Sequence, residues 1–379
     1  LGDVYKRQRT LYVPYMSVKL KGKSDNESAN ASMSVRTGRE CFRALTTPEA
    51  VTLVSSAGKV RASVPAGSKA TADMVQTDEA FWSVFSFRFL SGAGFTRADC
   101  DAGLPRAVLS ATIARQLFGT TDVVGHTVQL NYIDYTVAGV VADVSMLATA
   151  AYAQIWVPYT AADAESLSWQ DDTMGPMHAV ILAHSSADFD AIRKETELLR
   201  QKYNDGLRDV EIFYRGQPDT QLAYLYRRWY AEPDVPGVML RYGIVIAILL
   251  LVPAVNLSGM TLSRMRRRMA EIGVRKAFGA TGGELIRQVF FENFVLTLLA
   301  GVVGLALSYA ATFLLNDFLF SNSTNAYLSG ETALTPGMLL SPWAFIAAFA
   351  FCLLMNVLSA GIPAWRASRM NITDAINQR

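Results

Sequence analysis

Stretches without a charged residue, among them 242–263 and 293–316, mark the C-terminal part of the chain. A helix crosses the hydrocarbon of a bilayer with about 20 apolar residues. The pattern predicts spans over about 242–262 and 290–315, and a third over about 343–362 with Trp343 and Trp365 as interfacial anchors. Pro253 and Asn256 fall inside the first span, where a proline kinks the helix and an asparagine needs a partner. On the second, Ala300, Gly304, Ser308 and Thr312 recur every fourth residue, a small-residue face that lets helices approach closely. Such a face serves packing within one chain or contact with a second copy.

Upstream of residue 239 the pattern is different. Residues 33–76 alternate short β-prone runs with turns: MSVR, AVTLVSS, KVRASV and ATADMV. A helix is expected over 78–84 and a strand over 107–109. Residues 110–118 read as a helix, with Ser110 as N-cap and Gly119 as its stop. Residues 126–130 and 135–141 read as a hairpin around 131–134. Another strand is expected over 154–158, a polar loop over 161–176, and a β-α-β unit over 178–183, 187–203 and 210–214. The expected fold class is an α/β extracytoplasmic domain, residues 1–238, followed by an α-helical transmembrane domain, residues 239–379. Three spans are visible in the second.

Charge sets the orientation. Between the first two spans lie Arg264, Arg266, Arg267, Arg268, Arg275, Lys276 and Arg287, against Glu271 and Glu284. Loops rich in Lys and Arg stay in the cytoplasm. The loop over 316–342 has Asp317 and Glu331 and no Lys or Arg, the balance of an outside loop. The tail carries Arg366, Arg369 and Arg379 against Asp374, which fits the inside. So 263–289 and the C-terminus are expected in the cytoplasm, and residues 1–238 outside. A domain placed there must be translocated. The first residue is Leu, and LGDVYKRQ prepares neither a helix nor a signal sequence. The simplest reconciliation is a missing fourth span before residue 1, with the opening residues truncated or non-native.

Composition narrows the chemistry. The net charge of +2 in 379 residues argues against a nucleic-acid partner. No phosphate-binding loop ending in Gly-Lys-Ser/Thr is present. Cys41, Cys100 and Cys352 have no metal-site spacing, and nothing local brings Cys41 and Cys100 together as a disulfide. His126, His178 and His184 are scattered and read as surface residues; Asp99 and Asp101 around Cys100 read as loop.

Between residues 264 and 279, Met265, Met269 and Ile272 recur at helical spacing, and Glu271 can pair with Arg275 four residues on. Gly279 is placed to end that helix, and Thr281-Gly-Gly-Glu284 has the spacing of a capping box that starts the next. The segment reads as a short helix at the cytoplasmic surface with a tight turn back into the membrane. Such a helix also suits a topology anchor or a lipid-bound surface helix.

The run from Glu271 to Thr281, EIGVRKAFGAT, resembles the cytoplasmic signature of the FtsX-like permease family. Pro363-Ala-Trp-Arg-Ala-Ser-Arg369, with Ala375-Ile376, resembles that family's C-terminal motif, although Asn371-Ile372 stands where the family usually has a proline. Val108-Leu109-Ser110, Ala114, Leu117-Phe118-Gly119, Val124-Gly125 and the strand from Tyr135 to Asp143 resemble a MacB-type periplasmic core domain.

The resemblance implies the membrane permease of a type VII ABC system in a bacterial inner membrane, with the large domain in the periplasm. It implies a coupling helix over about 264–280 docked on an ABC ATPase, with Glu271, Gly273, Arg275, Lys276, Ala277, Gly279 and Ala280 as the contact. ATP and Mg would be bound by that ATPase, separate or fused upstream, and the permease itself would not be an enzyme. A second permease copy is implied, and a periplasmic adaptor or outer-membrane channel fits the same picture. The motion would pass to the outer domain by mechanotransmission across a hinge at Pro233, Pro236 and Gly237, for export of a peptide, small molecule or lipoprotein. A different implied role is a regulatory transmitter that activates a periplasmic partner such as a cell-wall hydrolase. A third reading, outside the family, is a membrane receptor whose basic loop binds only lipid.

Overall fold

The computed structural model describes residues 9–65, 67–146, 148–162, 164–227, 232–252, 274, 278–279, 281–314 and 345–355. Two compact units divide between Val235 and Pro236.

The strands of the N-terminal unit are β1 (Thr10–Val13), β2 (Met16–Leu20), β3 (Ala29–Ala31), β4 (Ala50–Ser55), β5 (Gly58–Ser63), β6 (Lys69–Thr77) and β7 (Phe89–Gly92). They continue as β8 (Arg106–Ser110), β9 (Thr127–Leu130), β10 (Ile133–Val141), β11 (Ile155–Pro158), β12 (Met177–Leu182), β13 (Val210–Phe213) and β14 (Asp219–Thr220). The helices here are α1 (Val35–Gly38), α2 (Phe81–Val84), α3 (Arg97–Asp101), α4 (Ala111–Phe118), α5 (Phe189–Gly206) and α6 (Gln221–Tyr226). The helical unit has α7 (Val235–Val252), α8 (Gly282–Leu314) and α9 (Phe345–Met355).

Strand β11 pairs antiparallel with β8 and parallel with β6, so the order β11-β8-β10-β9-β5-β6 closes on itself. The small side chains of Ala62, Ala70, Ala72 and Ala107 share one core with Leu109, Val128, Val137 and the buried face of α4. From β6 the sheet runs on through β4, β12, β1 and β14, and β7 joins at β10. Along β1 the side chains alternate: Leu11 and Val13 enter the core under α5, and Tyr12 enters the opposite core around Trp156. Leu53 and Val54 divide the same way, as do Ile181 and Val180. A sheet covered on both faces needs continuous apolar runs, and β1, β11 and β12 are such runs.

The helix over 110–118 forms as its pattern predicts. Ser110 accepts from the Ile113 amide, and Gly119 takes a left-handed φ of 78°. The hairpin is β9–β10, with Asn131 and Tyr132 in left-handed conformations at its tip.

Several expectations are corrected. MSVR is not a strand: Ser34 caps α1 by accepting from the Thr37 amide. The helix over 78–84 shrinks to α2, because the buried Asp78 carboxylate accepts from Thr52 Oγ1, the Leu53 amide and the Ala80 amide and so shapes a turn. The segments over 178–183 and 210–214 are no β-α-β unit in one sheet, since β12 lies in the large sheet and β13 in a three-stranded sheet with β2 and β3. Asp99 and Asp101 belong to α3, where Asp99 closes a capping box with Thr96 and pairs with Arg106. In agreement with their spacing, Cys41 and Cys100 are not bridged: they are free thiols in separate cores, each pushed up to about 12 by burial.

Candidate functional site

The expected ATPase-contact residues Glu271, Gly273, Arg275, Lys276, Ala277 and Ala280 lie outside the described residues. Their neighbours show how the segment ends. The Phe278 amide donates to the Val274 carbonyl at 3.2 Å, the i to i−4 bond of a helical turn. Gly279 follows at φ 93°, a left-handed conformation that glycine adopts without strain. A Cβ there would meet nothing, so the requirement at Gly279 is conformational and not steric.

The next helix starts at once. The Thr281 amide donates to Glu284 Oε2 at 3.0 Å, and the Glu284 amide donates back to Thr281 Oγ1 at 3.4 Å. This reciprocal box satisfies two amides that the first turn leaves unpaired. The same bonds from Thr281 hold the Glu284 carboxyl below its ordinary range. The 33 residues of α8 extend about 50 Å. Its apolar window, Phe294–Ala311, is long enough to cross a bilayer's hydrocarbon, and the first turns, with Glu284, Arg287 and Glu292, precede that window.

Phe278 is 89% exposed, an apolar ring beside a helix-ending glycine. The basic and small residues dominate that motif in sequence and leave Phe278 outside the expected contact. The signal is present, because an aromatic inside a charged surface segment is an unusual placement.

The expected hinge residues sit around the start of α7. Pro236 and Gly237 lie in the first turn of α7, where a proline removes no helical hydrogen bond. Only Pro233 precedes the helix, and its carbonyl accepts from the Val235 amide at 2.9 Å. Just upstream the chain is held firmly. Arg227 makes a two-pronged ion pair with Asp219, both side chains within 4% of full burial. Burial pushes the Asp219 carboxyl up, and the Arg227 guanidinium pulls it back down. Glu232 lies over Gly216, where a Cβ would come within 2.8 Å of its carboxylate.

On α8, Ala300, Gly304 and Ser308 are exposed, and a Cβ on Gly304 would meet nothing. The close approach within this unit falls at Gly301, where the Phe349 ring of α9 lies 3.3 Å from a built Cβ. Gly301 is seven residues from Ser308, so the two lie on nearly the same side of α8.

Among the described residues, two helices, α7 and α8, are long and apolar enough to cross a membrane, and α9 is a shorter apolar helix. The first and third expected spans continue beyond the described residues, as does Pro253. His126 and His184 are exposed as expected. His178 is not a surface residue: it is half-buried, and its two ring nitrogens reach Pro14 and Ser56.

A closed strand ring extended by an open sheet, followed by helices long and apolar enough to span a membrane, makes an α/β domain followed by an apolar helical domain. The family model of the MacB-like periplasmic core domain matches residues 6–199, and that of the FtsX-like permease C-terminal domain matches residues 243–372. The chain belongs to the MacB/FtsX-type ABC permease family. It is 25% identical over 298 residues to the pyoverdine export ATP-binding/permease protein PvdT of Pseudomonas aeruginosa, covering 78% of this chain and 41% of that protein. It is 25% identical over 301 residues to the uncharacterized ABC transporter permease YknZ of Bacillus subtilis, covering 79% of this chain and 68% of that one. The chain thus spans about two fifths of the first relative's length. The crystal structure of the periplasmic region of MacB from Actinobacillus actinomycetemcomitans superposes with a TM-score of 0.38 at 17% identity, over 54% of this chain and 90% of that one.

Proposed function

We propose that the chain is the membrane permease part of an ABC exporter of the bacterial plasma membrane. One observation carries this reading: a MacB-like periplasmic core domain and an FtsX-like permease domain follow each other in one chain. Residues 1–238 then lie outside, and the basic loop and C-terminus lie in the cytoplasm. The segment over 264–280 is the docking helix for an ABC ATPase, which binds ATP and Mg. The relatives carry two arrangements in their names, an ATP-binding/permease protein and a permease. The ATPase is accordingly fused in the same polypeptide or supplied as a separate subunit.

The physical parts suit mechanotransmission. A docking helix stopped by Gly279 and rejoined to α8 by a tight capping box leaves little slack between the ATPase and the membrane helix. At the other end, the Arg227–Asp219 pair fixes the chain close to where α7 begins. Movement of α7 would be felt by the outer domain through a short connection. Two permease copies would bring two such segments together when the ATPases close on ATP. Export is favoured over activation of a periplasmic hydrolase by the relative named for pyoverdine export.

The test is co-purification of the full-length protein from its native membrane in mild detergent, with Gly273→Arg and Arg275→Glu beside it. An ABC ATPase that copurifies and is lost in both variants supports the reading. If the ATPase is fused, loss of ATP turnover with both variants still inserted carries the same meaning. Unchanged ATPase association and turnover in both variants would overturn the assigned docking helix.

A further inference from the structure

The N-terminal unit holds a cavity of about 380 Å³ that the export reading leaves unused. Its floor is the face of the sheet formed by Tyr12, Val54, Val75 and Val180. Its roof is Tyr224 of α6, stacked on Tyr12 with ring centroids 4.8 Å apart and hydrogen-bonded to Thr149. Tyr152 forms a side wall and donates its hydroxyl to Asp73 Oδ2 at 3.0 Å. Ala57 and Ala150 are half-buried at the mouth, where Ser56 and Thr149 are exposed.

The cavity has one polar end, and its hydrogen-bond state can be derived. His178 Nδ1 lies 2.6 Å from the Pro14 carbonyl, which can only accept, so Nδ1 carries the proton. Burial lowers the tendency of His178 to take a second proton, so the ring is neutral. Nε2 is then an acceptor, and the Ser56 hydroxyl, 2.8 Å away, donates to it. The Ser56 oxygen keeps lone pairs that accept from outside. Among the described residues, no Lys, Arg, Asp or Glu lines the cavity. A charged ligand would lose its hydration there without a partner, so the cavity disfavours it.

The volume lies in the range of small-molecule sites, which are mostly apolar with a few placed polar groups. We propose that this cavity is a binding site for a neutral, largely apolar small molecule bearing one hydroxyl or N–H donor. The donor bonds to Ser56 Oγ, and the apolar body lies between the tyrosines and the three valines. Tyr224 belongs to α6, the last described helix of the N-terminal unit. The assignment stands on the N-terminal unit alone and does not require the export reading.

The experiment uses the full-length protein in lipid nanodiscs with Cys352→Ser and a reporter thiol introduced as Ala150→Cys. Cys41 and Cys100 are buried and remain silent. The rate at which a membrane-impermeant maleimide modifies the reporter thiol is followed against 4-phenylphenol, the anionic 4-phenylbenzoate and the donor-free 4-methoxybiphenyl. The proposal predicts saturable slowing by 4-phenylphenol, about tenfold at ten times its dissociation constant. It predicts no protection by 4-phenylbenzoate, protection by 4-methoxybiphenyl weaker than by 4-phenylphenol, and protection by 4-phenylphenol that weakens about tenfold in Ser56→Ala. In Ala57→Phe, which narrows the mouth, protection is lost while the thermal unfolding of the protein is unchanged. No protection by 4-phenylphenol at millimolar concentration would overturn the proposal. So would equal protection by the anion, or protection undiminished in both Ser56→Ala and Ala57→Phe.

Discussion

The two units place the same kinds of side chain in opposite positions. In the N-terminal unit Leu11, Leu53, Leu109, Ile155 and Trp156 are fully buried. In α7 none of the eighteen residues is buried, and in the apolar window of α8 only 6% are. Leu249 and Leu307 stand about two thirds exposed. Burying such a side chain is worth about 1.5–3 kcal/mol in water, so the N-terminal unit carries its own stability. The helices gain nothing comparable by themselves. They need a hydrocarbon surround, and their cohesion rests on close packing such as Gly301 against Phe349. One unit is built for water and the other for lipid.

The comparison can be broken most severely in the core. Trp156→Ala removes a ring packed against Trp82 and Phe87 and should cost about 3–5 kcal/mol in urea unfolding of the N-terminal unit. Leu307→Ala, on the exposed face of α8, should change that unfolding by less than about 0.5 kcal/mol. Equal effects would deny that the two units are stabilised differently. Arg227→Ala should also cost about 3–5 kcal/mol, because it leaves Asp219 charged and buried. The pair Arg227→Met with Asp219→Leu should recover most of that loss, which would mark the ion pair as a positional device more than a source of stability.

A smaller effect comes from Asp78. Burial raises its carboxyl from 3.8 to about 6 in the folded chain, against the pull of Arg43. Between those values the folded chain holds more protons than the unfolded one. Stability therefore falls as pH rises from about 4 to 6 and is level above that, by on the order of 3 kcal/mol. Asp99, Glu195 and Glu197 are shifted the other way, so the effect is read as a difference from Asp78→Asn across the same pH range. The smallest change is Glu284→Ala, which removes half of the capping box and should weaken the first turn of α8 by about 1 kcal/mol. Faster amide exchange confined to that first turn, with the N-terminal unit unaffected, is the expected readout.

Local signals carry far in the sequence. Ser110 and Gly119 bound α4 because capping is decided within four residues. Gly279 and Thr281–Glu284 are legible for the same reason. What fails depends on distant partners. Met33 and Val35 favour a strand, but the Ser34 hydroxyl donates to the Asp172 carbonyl, 138 residues away, and α1 begins there instead. His178 reads as a surface residue because Pro14 and Ser56 come from other strands or their ends. The small-residue stripe on α8 is visible by period alone. Which side meets α9 depends on where Phe349 arrives, and period does not encode that. The cavity has no sequence signature, since Tyr12, Val75, Tyr152 and Tyr224 are gathered only by the fold.

The central claim is that a water-built body outside the membrane is joined to a docking segment inside it, and sided labelling tests this most directly. In intact cells carrying the Cys352→Ser protein, Tyr132→Cys and Phe278→Cys each place one thiol at a highly exposed position, where the native side chains are 81% and 89% exposed. The account predicts that an impermeant maleimide reaches the thiol at position 132 from outside and the thiol at position 278 only after the membrane is opened. Labelling of both positions from the same side would contradict it.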